Sequence, residues 1–258
     1  MTFDSYHWQD ALIDDAELSR ARSRLASGKG DETDFLALLQ SDCAIAVGVA
    51  LDHYYHAETM TRFGEDNPFE SYSDEVLVRA RTILKSPATL KSETQAYEDG
   101  ANHSSALLVM TILADPDDPD DREAITSALR KASTRASLEA AAEAAGMILS
   151  DASSLDQNLL NALADIILDE TRDVWDRVRG IVALGNVTDR RAGDLLARAA
   201  QQKNQKIQLE AAIILSSRHM STHRRVVEEI SSSWPEDADY PESLVLDALR
   251  TTNADGPC

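Results

Sequence analysis

From Ser41 onward the apolar residues recur at three- and four-residue intervals, in segments separated by short polar stretches. No segment alternates apolar and polar positions as a half-buried strand does. The pattern predicts an all-α chain. Seven of the apolar runs close on a leucine: Leu51, Leu84, Leu113, Leu149, Leu184, Leu215 and Leu249, spaced 29 to 36 residues apart. Four positions before each leucine, where a helix returns to nearly the same face, stand Val47, Ala80, Val109, Ala145, Gly180, Ala211 and Val245. One position before each leucine stand Ala50, Ile83, Ile112, Ile148, Ala183, Ile214 and Ala248, again all apolar. Small residues at a fixed helical position let neighbouring helices approach closely, so a shared packing geometry accounts for the register.

Further amphipathic segments lie between these runs: Arg122 to Ser133, Leu155 to Leu168, Arg190 to Gln202 and Thr222 to Ser233. Two helices per unit of about 33 residues make a helical-hairpin repeat, which stacks because one unit alone cannot bury its apolar face. The stretch Val178-Arg179-Gly180-Ile181-Val182-Ala183-Leu184-Gly185 resembles, with two fewer residues between its Val-Arg and its Ala-Leu-Gly, the Val-Arg-x-x-Ala-x-x-Ala-Leu-Gly signature of short HEAT-like repeats of the phycobilisome-lyase-like family. Val78-Arg79 and Glu210 to Leu215 are partial matches, Ala144 and Leu108 stand where the signature has Arg, and only the unit ending at Leu184 carries the following Gly. The resemblance covers roughly residues 41 to 252. It implies a right-handed α-solenoid of HEAT-like hairpins, with residues 1–40, holding helices Ser5 to Ile13 and Asp15 to Ala26, as an N-terminal helical cap and 41–258 as a single continuous solenoid. Ser86 to Asn102 and Ser232 to Pro241 read as irregular connections.

Composition agrees with helices: ten Gly and seven Pro among 258 residues are too few breakers for a many-turned sandwich or propeller. The charge adds a functional constraint. Against 25 Lys and Arg stand 45 Asp and Glu, net −20, with an acidic excess in every part of the chain. Such a surface repels phosphate backbones and anionic lipid and draws a basic partner. The expectation is therefore no nucleic acid and no membrane. Cys43 and Cys258 give no disulfide framework, and the first residues carry neither a basic region nor an apolar one, so the chain reads as cytoplasmic.

Candidate chemistry is sparse. Asp52 to Glu58 holds His53 and His56 at i and i+3, a spacing that could present two imidazoles to a metal or a partner. It lacks the i, i+4 histidines and intervening Glu of zinc proteases, and a structural helix end in which Tyr54 or Tyr55 packs under the cap fits it as well. Deoxyhypusine hydroxylase, a HEAT-repeat enzyme, ligates iron through His-Glu dipeptides; here the six histidines precede Trp8, Tyr54, Ala57, Ser104, Met220 and Arg224. The run Asp115 to Glu123 lacks the Gly of a calcium loop and reads as a solvated loop in which Asp120 or Asp121 caps the following helix. Phosphate-binding Gly loops and the Gly-x-Ser-x-Gly elbow do not occur. A noncatalytic protein without cofactor or metal is expected.

If the register leucines point inward, the residues nine and five positions before them form another stripe. It includes Glu75 and Arg79, Trp175 and Arg179, Lys206 and Glu210, then Tyr240 and Leu244. Trp, Tyr and Arg are the residues that most often anchor interfaces, so Trp175, Arg179, Lys206, Glu210 and Tyr240 form the leading partner-binding ridge, with Glu75, Arg79, His53 and His56 as further candidates. A pairing of Arg179 with Glu210 between adjacent repeats is the structural alternative. The function expected is a protein-binding scaffold, adaptor or immunity-type inhibitor for a partner with a basic surface. The resemblance also implies a second possibility, a tetrapyrrole lyase or chaperone. A third, a HEAT-like DNA glycosylase, needs a basic groove that net −20 weighs against.

Overall fold

The structure is a computed structural model that describes residues 13–85, 93–132 and 134–254. Among these residues the protein is all-α, with thirteen α-helices and no strand. The chain divides into two compact units, one up to Ala144 and one from Ala145.

The first unit holds α1 (Ala16–Ala26), α2 (Glu32–Leu39), α3 (Ala44–Thr61), α4 (Ser73–Lys85), α5 (Glu93–Leu113), α6 (Pro119–Lys131) and the start of α7 (Arg135–Asp151). Helix α2 packs on α3 and α4 on α5, while α3 also lies against α5 and α4 against α6. Phe35 and Phe69 stack at 4.2 Å between ring centroids, and Leu38 and Tyr54 are buried in the same unit. Two arginine clamps tie the helices together. Arg24 grips the buried Asp34 of α2, and Arg81 of α4 sends Nε and Nη2 to the two carboxylate oxygens of Asp121, each at 2.7 Å. A carboxylate taken from water needs such paired donors, and the planar guanidinium supplies two in parallel.

The second unit holds the rest of α7, then α8 (Gln157–Leu168), α9 (Val174–Ala183), α10 (Arg190–Ala200), α11 (Gln205–Arg218), α12 (Met220–Ser231) and α13 (Glu242–Ala254). Pairs α8/α9, α10/α11 and α12/α13 follow one another. The first helices α8, α10 and α12 lie side by side in that order, as do the second helices α9, α11 and α13. The sequence dictates these faces. In α8, Leu159, Ala162, Leu163, Ile166 and Ile167 fall at i, i+3, i+4, i+7 and i+8 and are buried; in α10, Ala192, Leu195, Leu196, Ala199 and Ala200 repeat the spacing. Small residues sit where helices meet: a methyl added at Gly180 would stand 2.8 Å from Ile167 Cγ1, and one at Gly146 would collide with the Ala183 carbonyl.

All seven residues four positions before the register leucines are buried. The helix order breaks at one leucine: Leu84 lies on α4, the first helix of its pair, whereas Leu51 and Leu113 lie on the second helices α3 and α5; Leu84, Leu113 and Leu249 are half-buried. The connection expected over 86–102 is also shorter than the sequence suggests. Helix α5 begins at Glu93, and the Asn102 amide donates to the Ala44 carbonyl at 3.0 Å. Residues 232–241 are irregular. The expected helix Ser5 to Ile13 lies almost wholly outside the described residues.

Helix starts follow one rule. Asp15, Asp31, Asp118, Asp156, Asp173, Asp189 and Asn204 each occupy an N-cap and accept a backbone N–H of the first turn. In the acidic run the cap is Asp118, one residue before Pro119, and neither Asp120 nor Asp121. Proline is at home in the first helical position because its missing N–H has no partner there. Asp121 instead turns inward to Arg81 and accepts the Asp115 N–H at 3.0 Å.

Candidate functional site

The ridge residues belong to the second unit. Trp175 lies in the first turn of α9, started by the Asp173 carboxylate accepting the Trp175 N–H at 2.8 Å. Lys206 lies in the first turn of α11, where the Asn204 side chain accepts the N–H groups of Lys206 and Ile207. Because α9 packs against α11, these equivalent positions meet, and Lys206 Nζ sits 3.3 Å from the Trp175 ring centroid. An ammonium over an indole face is held by the ring quadrupole, and the contact leaves Trp175 48% exposed. Tyr240, at the same register before α13, is 78% exposed, and Leu244 of α13 is exposed too. Arg179 and Glu210 lie half-buried one turn beyond Trp175 and Lys206. The stripe is not a continuous solvent-facing ridge: Ala46, Ser104, Ala140 and Ala144, at equivalent positions, are buried.

The remaining candidates belong to the first unit. Glu75 accepts from the Gln40 amide at 2.8 Å, and Arg79 donates through Nη2 to the Ser41 carbonyl, so both join α4 to the turn after α2. His53 and His56 lie on α3, the first half-buried and the second exposed. Burial, with a smaller effect from His56, holds the His53 pKa below the usual imidazole value. Tyr54 is buried and pushed up to about 12 by burial, while the Tyr55 hydroxyl reaches Glu143 at 3.4 Å. One turn earlier Asp52 faces α5; burial raises its pKa to about 7, opposed by a hydrogen bond from Ser105.

Two polar groupings escaped the sequence reading. His219 and His223, four residues apart, approach edge to face over Gly193, where an added methyl would stand 2.8 Å from His219 Nδ1 and from His223 Nε2. His219 Nε2 meets the Val187 carbonyl at 2.9 Å, and His223 Nε2 lies 3.5 Å from Asp194. The His-x-x-x-His spacing was the available signal. Among the described residues no three His, Cys, Asp or Glu side chains group as metal ligands. The second grouping gathers Arg172, Arg177 and Gln202 where the α8–α9 and α10–α11 connections meet. No described helix is long and apolar enough to cross a membrane.

The chain matches no protein-family model and no curated protein.

Proposed function

We propose that this protein is a noncatalytic binding protein built of HEAT-like hairpins stacked as right-handed α-solenoid, and that it serves as a scaffold, adaptor or immunity-type inhibitor. Its partner is a protein with a basic surface, engaged through Trp175, Arg179, Lys206, Glu210 and Tyr240. The observation that carries the reading is the Trp175–Lys206 contact, which holds a large aromatic half-exposed on the surface in a fixed orientation. Pre-ordering an anchor lowers the entropy lost on docking. The order of helix pairs within each unit supports the hairpin repeat, and net −20 supports the sign of the partner.

The test compares wild-type protein and Trp175→Ala for binding to the native partner isolated by pull-down, with folding checked by circular dichroism. Loss of a buried aromatic anchor is expected to raise the dissociation rate by about tenfold or more. Raising salt is expected to slow association. Equal affinity of the folded variant, together with association insensitive to salt, would refute both halves of the reading.

A further inference from the structure

In a chain of net −20, the second unit contains a cavity of about 360 Å³ whose charged lining residues are Arg172, Arg177 and Lys203 against Glu170. Its walls are Glu170 and Arg172 from the α8–α9 connection, Arg177 from α9, and Gln202, Lys203 and Asn204 from the α10–α11 connection. Arg177 is 3% exposed and anchored by Nε donating to the Ile167 carbonyl at 3.0 Å. Its Nη2 is buried and has no hydrogen-bond partner. Arg172 Nε, 3.7 Å from Asp169 Oδ2, is likewise buried without a hydrogen bond, as is Gln202 Oε1. The Asp169 carboxylate is engaged elsewhere: Oδ1 accepts the Thr171 N–H at 2.9 Å and its hydroxyl at 2.6 Å.

Three cations therefore line the cavity with one carboxylate, Glu170, while Asp169 is hydrogen-bonded by Thr171 and Asp173 caps α9. A buried guanidinium nitrogen without an acceptor forfeits the hydrogen bonds it made to water. Two helix starts border the same space, at Val174 of α9 and Asn204 of α11, and their first-turn N–H groups are already capped by the Asp173 and Asn204 side chains. A cavity with two orphan donors and a further ammonium is complementary to an oxyanion. The orphan Gln202 oxygen adds a place for a donor beside that anion.

We propose that this cavity binds an oxyanion, a carboxylate or phosphate group bearing a hydrogen-bond donor next to it, with Arg177 and Arg172 donating to the anion, Lys203 closing the rim and Gln202 accepting from the neighbouring donor. Arg177 Nη2 is the decisive group, because its stem is fixed by Ile167 and it has no acceptor of its own. The proposal does not depend on the Trp175 ridge being a protein-binding surface.

The experiment titrates the full chain with inorganic phosphate and, separately, with N-acetylglycine, at an ionic strength held constant with sodium chloride. The side-chain Nε–H resonances of Arg172 and Arg177 are followed by NMR. Saturable shifts of both resonances by at least one anion are expected. In Lys203→Glu the affinity should fall about tenfold, the scale of one lost charge-assisted hydrogen bond. Lys203 is exposed, and Arg172→Gln provides a second variant should the first not fold. Saturation by N-acetylglycine but not by N-acetylglycinamide assigns the site to carboxylates, and saturation by phosphate assigns it to phosphate; either supports the proposal. Shifts that never saturate, or that saturate identically in the folded variant, would show that the cavity holds water alone and overturn it.

Discussion

Asp52→Asn should stabilise this protein at neutral and alkaline pH, an unusual outcome for altering a half-buried polar residue. Asp52 sits on α3 facing α5, accepts a hydrogen bond from Ser105, and has a second oxygen, Oδ1, buried without a partner. With one hydrogen bond, from Ser105, and no cation beside it among the described residues, burial disfavours the charged form, and the pKa rises from 3.8 to about 7. The folded state then retains a proton that the unfolded chain releases from about pH 4 upward. Stability is therefore free of this penalty below about pH 4, declines as pH rises to about 7, and stays reduced above it. About three pKa units at 1.36 kcal/mol each set an upper bound of about 4 kcal/mol. Asparagine keeps the shape, can accept from Ser105 and never ionises. Urea unfolding of wild type and variant at pH 4.5, 6, 7 and 8.5 isolates the group, because contributions from distant carboxylates cancel in the difference. The variant should match or slightly trail wild type at pH 4.5 and exceed it by about 2 to 4 kcal/mol at pH 8.5. A difference that does not change with pH would refute the reasoning.

Ala211→Leu, at a wholly buried position of α11, should cost about 1 to 3 kcal/mol by overpacking, read as a lowered thermal midpoint; an unchanged midpoint would mean that this face of α11 is not tightly packed. His219 is held below the usual imidazole pKa by burial, partly opposed by the Val187 carbonyl. The unfolded chain therefore takes up a proton first as pH falls below about 6.5, and stability should drop between pH 7 and pH 5. His219→Gln should reduce that drop in the urea midpoint, and an undiminished drop would assign it to other groups.

What could be read from the sequence was whatever depends on local spacing. The apolar period, the small residues before each register leucine and the Asp and Asn residues ahead of apolar runs all act within one or two helical turns, and the helices follow them. Leu84 was misplaced because α4 and α5 both carry an apolar stripe, and periodicity cannot tell the first helix of a hairpin from the second. The N-terminal part of α5 reads as a loop because Gly100 and its polar neighbours give little local preference for a helix. There the support is tertiary, including the Asn102 bond to Ala44, 58 residues earlier. The Trp175–Lys206 contact was anticipated as a shared register but not as a touching pair, and Arg177, His219 and Asp52 acquire their character from groups distant in sequence.

The acidity of the chain also changes meaning once each carboxylate has a place. Six aspartates cap helices, and Asp34 and Asp121 are buried under arginines, so a share of the negative charge is structural. An aspartate at an N-cap is stabilised by the partial positive charge of the helix start, yet its own charge still reaches solvent. Over a Debye length of about 10 Å at 0.1 M salt, the surface field keeps its sign. The basic partner proposed above would be drawn by charge dispersed along the chain rather than by one acidic patch. Dispersed charge accelerates encounter without fixing an orientation, and orientation has to come from a contact that is rigid and local. In the second unit the Trp175 indole under the Lys206 ammonium has that character. Long-range attraction and short-range placement are therefore assigned to different residues, and they separate experimentally: salt acts on the first, and Trp175→Ala on the second.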